Sequence, residues 1–131
     1  MESSTTPKTV WNMTIAPASR PESRRRHERV AADRPVTVRA PSGIRVKARL
    51  VDISLGGVAI RFEAPADPGT RLELRFLLPV ARNRLKELEV RGVVRHRRVQ
   101  RDGFVMGLEF EDADVTLQNT IRRYISFRRS L

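Results

Sequence analysis

From Val36 to Phe110 apolar residues return at every second position, in six runs separated by turn chemistry, and this alternation confines the chain to a mainly β fold. Val36 and Val38 begin the pattern. Ile44, Val46, Ala48 and Leu50 continue it on one face, with Arg45, Lys47 and Arg49 on the other. Val58, Ile60 and Phe62 form the third run, Leu72, Leu74, Phe76 and Leu78 the fourth, Leu88, Val90 and Val94 the fifth, and Phe104, Met106, Leu108 and Phe110 the last. Pro41-Ser42-Gly43, Asp67-Pro68-Gly69 and Arg101-Asp102-Gly103 supply turns between them. Six antiparallel strands with one apolar face each must close that face, and in a chain of 131 residues a small six-stranded β-barrel over 36–110 does so. No helical crossovers intervene, which excludes a doubly wound nucleotide-binding sheet.

After Phe110 the periodicity changes. Asp112 or Asp114 is placed to cap a C-terminal α-helix over 114–128, whose apolar stripe is Leu117, Ile121, Tyr124, Ile125 and the stem of Arg128. Arg122, Arg123, Arg128 and Arg129 fall toward its end, where cations suit the helix dipole. This helix is expected to cover one mouth of the barrel. The acids Glu109, Glu111, Asp112 and Asp114 match no calcium loop, so capping is their better use and no metal is expected. Residues 1–20 hold Ser, Thr and Pro without sustained periodicity, and are expected to be a disordered tail in which Trp11 is a candidate docking residue for a partner. One domain then spans 21–131.

The net charge of +11 narrows the partners to anions without choosing among them, since nucleic acid, acidic headgroups, nucleotides and acidic protein faces all respond to a basic surface. Most of the excess is arginine, whose planar fork matches phosphate oxygens and the O6/N7 edge of guanine. The absence of cysteine excludes disulfides, thiolate nucleophiles and cysteine-ligated zinc. No run approaches 18 apolar residues, and the first thirty residues lack the apolar centre of a signal peptide. A soluble, cytoplasmic protein without membrane insertion is the expectation.

Two short runs carry chemistry. Arg24-Arg25-Arg26-His27-Glu28-Arg29 places Arg25 and Arg29 four apart, and Asp52-Ile53-Ser54-Leu55-Gly56-Gly57 offers a carboxylate, a hydroxyl and a glycine turn. Just before the second run the alternation slips at Leu50-Val51-Asp52-Ile53, as it does at a β-bulge. Taken singly, the first run reads as a solvated basic stretch or a nucleic-acid arm and the second as a hairpin turn. Taken together they suit a small anion that also carries hydrogen-bond donors. His27 and His96 read as isolated surface histidines, and Arg95 as a solvent-facing strand residue.

In this order and composition the two runs resemble the signature of the PilZ domain, RxxxR followed by D/N-x-S-x-x-G. Val93-Val94-Arg95 and Phe104 to Phe110 resemble that family's later strands, so the likeness spans residue 23 to about 127. The resemblance implies a non-enzymatic receptor for the bacterial second messenger cyclic di-GMP, needing no cofactor. It implies that Arg25 and Arg29 meet phosphates or guanine edges, that Arg24 and Arg26 add charge or stacking, that Asp52 and Ser54 hold a guanine, and that Gly57 permits a close turn. The loop 23–30 is then expected to order on binding and to signal to an effector protein, in motility or biofilm control. Two other readings remain open: a nucleic-acid-binding basic protein, and a ligand-independent scaffold of the same family. One tryptophan, one tyrosine and phenylalanines in the buried register weigh against the first, and two intact motifs against the second.

Overall fold

The computed structural model describes residues 28–131. The expected tail, with Trp11, and the loop arginines Arg24, Arg25 and Arg26 lie outside the described residues. Six strands follow in order, β1 (Val30–Arg39), β2 (Arg45–Ile53), β3 (Gly57–Phe62), β4 (Arg71–Ala81), β5 (Arg84–Gln100) and β6 (Gly103–Glu111), and then one helix, α1 (Val115–Arg129). All neighbouring pairs are antiparallel, and the sheet closes in the order β1-β2-β3-β6-β5-β4. Closure removes the free strand edges that an open sheet of this length would expose.

The alternating residues fill the interior. Leu50, Ile53, Val58, Ile60, Leu78 and Val94 are fully buried, and Leu74, Phe76, Met106 and Leu108 pack with them. The first strand begins at Val30, six residues before the apolar alternation starts, because Ala31 and Arg34 pair with Asp52 and Leu50 of β2. Ile44 is a correction to the expected pattern: it lies in the turn before β2 and is 64% exposed. Phe62 and Phe104, paired across β3 and β6 near the barrel's end, are only half-buried.

The ladders of β2 and β5 each contain an extra residue. Leu50 pairs with Ile60 and Asp52 with Ala59, leaving Val51 as the bulge in β2. Val94 pairs with Leu108 and His96 with Gly107, leaving Arg95 as the bulge in β5. A strand side chain changes face at every residue, so one extra residue reverses the phase of everything after it. Leu50 and Ile53, an odd number of positions apart, are therefore both buried.

Strands β1 and β4 pair only where Val36–Arg39 meets Glu73–Phe76. Beyond that stretch Arg34 reaches across, its Nε donating to the Leu77 carbonyl at 3.1 Å. Helix α1 packs against β4 and buries Thr120, Ile121, Tyr124 and Ile125. Asp114 is its N-cap, accepting from the Leu117 N–H at 2.8 Å, while Arg128 and Arg129 occupy the last turn. Arg128 itself is exposed and adds nothing to the buried stripe, whose place is taken by Thr120. The Tyr124 hydroxyl donates to the Ala31 carbonyl at 2.8 Å and ties the helix to the start of β1. Tyr124→Phe, which leaves the ring in place, is expected to lower stability by about 0.5–1.5 kcal/mol in urea denaturation, the scale of one hydrogen bond with a partly buried partner.

Candidate functional site

The last arginine of the first motif run meets the second run at one end of the β1–β2–β3 ladder. The Arg29 guanidinium, just before β1, donates from Nη1 to Asp52 Oδ1 at 2.7 Å. Asp52 reaches the outer face because the Val51 bulge has turned it there; its row partners are Ala31 on one side and Ala59 on the other. The Arg29 side chain is 50% exposed and that of Asp52 28%, so this is a surface ion pair, contributing on the order of 0–1 kcal/mol. Such a pair orients both groups and yields readily to a competing ligand.

Ser54 and Gly57 serve the adjoining turn. Ser54 is 3% exposed; its N–H donates to the Gly57 carbonyl at 2.8 Å, and its hydroxyl accepts from the Gly56 N–H at 3.2 Å and donates to the Gly57 carbonyl at 3.4 Å. The hydroxyl thus holds the β2–β3 turn closed from within. Gly57 faces β6 at a distance no side chain tolerates, since a Cβ there would lie 2.1 Å from the Leu108 carbonyl oxygen. The Gly56 carbonyl accepts from the Phe110 N–H at 2.9 Å and completes the junction. The D-x-S-x-x-G run therefore builds a rigid corner and displays one carboxylate from it.

Reasoning from sequence missed His96, which reads there as an isolated surface histidine. In the fold it is half-buried on the row of Asp52, paired with Gly107, and near enough to feel the charges of Arg29, Arg98 and Asp52. No motif marks it. The signal that could have found it is Gly107 inside the apolar run of β6, because a strand glycine marks a close approach. Arg95, by contrast, is a solvent-facing strand residue, with its Nε on Glu109 Oε1 at 2.7 Å.

The acids near the end of β6 are each engaged elsewhere. Glu109 pairs with Arg95, Glu111 with Arg71 at 2.8 Å and Asp112 with Arg91 at 3.9 Å, while Asp114 caps α1. Among the described residues no group of three or more His, Cys, Asp or Glu side chains is arranged to hold a metal ion. No helix among them is long and apolar enough to cross a membrane.

Burial first, then the positive charges of Arg29 and Arg98, push the His96 imidazole below its ordinary value of about 6.5, with Asp52 opposing them. As pH falls, the unfolded chain takes up this proton before the folded one does. The stability associated with neutral His96 is thus complete above pH of about 6.5 and lost as pH falls through the folded-state value. The urea midpoint of the wild type is expected to drop more between pH 7.5 and pH 5.5 than that of His96→Gln, and equal drops would remove His96 as the cause.

A family model described as the PilZ domain matches residues 23–127. The comparison with curated proteins found no match. Among solved structures, the Bacillus subtilis inhibitor of motility MotI/DgrA aligns at 21% identity with a TM-score of 0.69, over 82% of this chain and 52% of that one, so the chain spans about half its length. The PilZ domain of Escherichia coli YcgR with c-di-GMP aligns at 16% identity and a TM-score of 0.64, over 82% and 93% of the two chains. The PilZ domain of CeSA from a cellulose-synthesizing bacterium aligns at 22% identity and a TM-score of 0.57, over 77% and 98%. The match runs from the arginine pair into the last turn of α1 and covers both motifs and all six strands of the barrel: the chain belongs to the PilZ domain family.

Proposed function

We propose that this chain is a receptor for cyclic di-GMP, binding it on the outer face of the barrel at Asp52 and the arginine loop and passing the event to a protein partner by a change in shape. The observation that carries the reading is the Arg29–Asp52 contact, which joins the two motifs in space although they stand far apart in sequence. Each guanine of the ligand offers N–H donors that a carboxylate accepts, and each phosphodiester offers an anion to a guanidinium. The ligand can replace the ion pair by taking both halves of it. Asp52 turns to guanine, and Arg29 turns to a phosphate or a base edge.

The other motif residues follow in the same scheme. Arg25 and Arg24 supply further guanidinium groups to the anion, and Ser54 and Gly57 keep the corner that aims Asp52. The reading supposes a receptor and not an enzyme. A cytoplasmic location and a role in motility or biofilm control accompany the family membership as part of the proposal. The structure of YcgR's PilZ domain with c-di-GMP and the motility inhibitor MotI/DgrA are consistent with it.

Two contacts favour transmission to α1. The Arg129 guanidinium grips Glu28 with two nitrogens, Nε donating at 3.1 Å, and Tyr124 holds Ala31. Arg29 lies between those two anchors. A ligand that draws Arg29 away from Asp52 therefore pulls on the backbone that holds the end of the helix, and a partner reading the α1 surface would sense it.

The nucleic-acid alternative gains no support from the outer arginines. Arg39, Arg71, Arg75, Arg95 and Arg97 are each paired with Glu73, Glu111, Glu89, Glu109 and Asp67 in turn, which breaks up a continuous polycationic track. Calorimetric titration with cyclic di-GMP, with GTP and cyclic di-AMP as competitors, tests the reading. Selective binding is expected, and Arg25→Ala and Arg29→Ala should each weaken it by about 1.5–3 kcal/mol, the scale of a hydrogen bond to a charged group. Equal binding of all three nucleotides would reduce the site to a basic surface, and no binding would leave the scaffold reading.

A further inference from the structure

The bulges in β2 and β5 stand on either side of the β3–β6 pair and turn two polar residues onto the same outer row. Asp52 pairs with Ala59, Ala59 with Gly107, and Gly107 with His96. Without Val51 and Arg95 as extra residues, Asp52 and His96 would stand in the inward phase of Leu50 and Val94. Between these two walls the floor consists of the two smallest residues, Ala59 and Gly107. Three strand spacings separate Asp52 from His96, about 14 Å along a flat sheet and less on a curved one.

Gly107 is not there to make a turn. A Cβ at this position would lie 2.4 Å from Cε1 of His96, 2.5 Å from Nε2 and 3.1 Å from Nδ1, so the imidazole occupies the space a side chain would need. The ring therefore leans across β6 toward Ala59 and Asp52, narrowing the trough from the far side. Elsewhere on this part of β5, Arg95 and Arg97 are drawn off to Glu109 and Asp67. Burial and the neighbouring guanidinium groups favour the uncharged ring. A neutral aromatic ring, a floor of Gly and Ala, and a carboxylate opposite make a slot for a planar base with N–H donors on its edge.

We infer that His96 is the second wall of the nucleotide site, touching with its ring a purine base whose donor edge is held by Asp52, and that Gly107 positions it. This rests on the proposed reading of the chain as a cyclic di-GMP receptor and adds a base-contacting residue that neither motif contains. Stacking on an aromatic side chain is indifferent to the ring's identity, so the contact should survive replacement by another aromatic residue and not by a small one.

The test is calorimetric titration of the full chain with cyclic di-GMP, for wild type, His96→Ala, His96→Phe, Gly107→Ala and the double variant His96→Ala/Gly107→Ala, with thermal melts recorded alongside. His96→Ala is expected to bind about tenfold more weakly, within the range of one base–aromatic contact, and His96→Phe to stay within about threefold of wild type. Gly107→Ala should weaken binding through displacement of the ring, and the double variant should bind no worse than His96→Ala. Wild-type binding that His96→Ala leaves unchanged, or that His96→Phe loses as fully as His96→Ala, overturns this inference and leaves the receptor reading standing. Should Gly107→Ala fail to fold, the two His96 variants decide alone. Absence of binding by the wild type overturns both.

Discussion

A single extra residue in β2, Val51, decides which groups of this barrel face outward and which face the core. In an unbroken strand Asp52 would follow Leu50 into the interior and Ile53 would point outward. That arrangement would cost several kcal/mol for a buried carboxylate and forfeit about 1.5–3 kcal/mol of apolar burial at Ile53. The bulge reverses both assignments at once. Ile53 is fully buried beside Val58, and Asp52 stands on the outer row within reach of Arg29. Arg95 does the same for His96 on β5, so the two polar residues of this outer row arise from two local faults in the same sheet.

The clean β3–β6 ladder between those faults is what makes them cooperate. Its six consecutive pairs, from Gly57–Glu109 to Phe62–Phe104, keep Ala59 beside Gly107 and prevent either wall from sliding along the barrel. Gly57 fixes that register at one end, because the Leu108 carbonyl lies where its side chain would be. Rigidity on this side contrasts with the exposed contacts of Glu28 and Arg29. Arg29 is held to the barrel by one half-exposed ion pair, and Glu28 to the helix by another. An anchored carboxylate beside a half-exposed guanidinium is suited to capture first and rearrange afterwards.

The six strands, their closure and the C-terminal helix were legible because burial on one face imposes period two on strands and helical spacing on Leu117, Ile121, Tyr124 and Ile125. The β2 bulge was legible too, as the slip in alternation at Leu50–Ile53. What escaped were features decided by contacts distant in sequence. Val30 to Pro35 join β1 through pairing with β2, although Asp33, Arg34 and Pro35 break the apolar alternation there. Arg95 to Gln100 continue β5 against β6 despite their charge, because backbone pairing and not side-chain burial holds them. His96 acquires its place only when Gly107 arrives opposite it. Arg29 and Asp52 were singled out by motif and are joined in the fold, whereas Ser54 serves the turn from a buried position that its hydroxyl alone does not announce.

The most direct measurement is an amide chemical-shift titration of the full chain with cyclic di-GMP. The account predicts shifts concentrated at Arg29, at the corner Asp52–Gly57, and along the outer row at Ala59, His96 and Gly107, with smaller changes at the end of α1 around Arg129. Shifts confined instead to the arginines of the opposite face, Arg39, Arg75 and Arg91, or spread evenly over all basic residues, would contradict it.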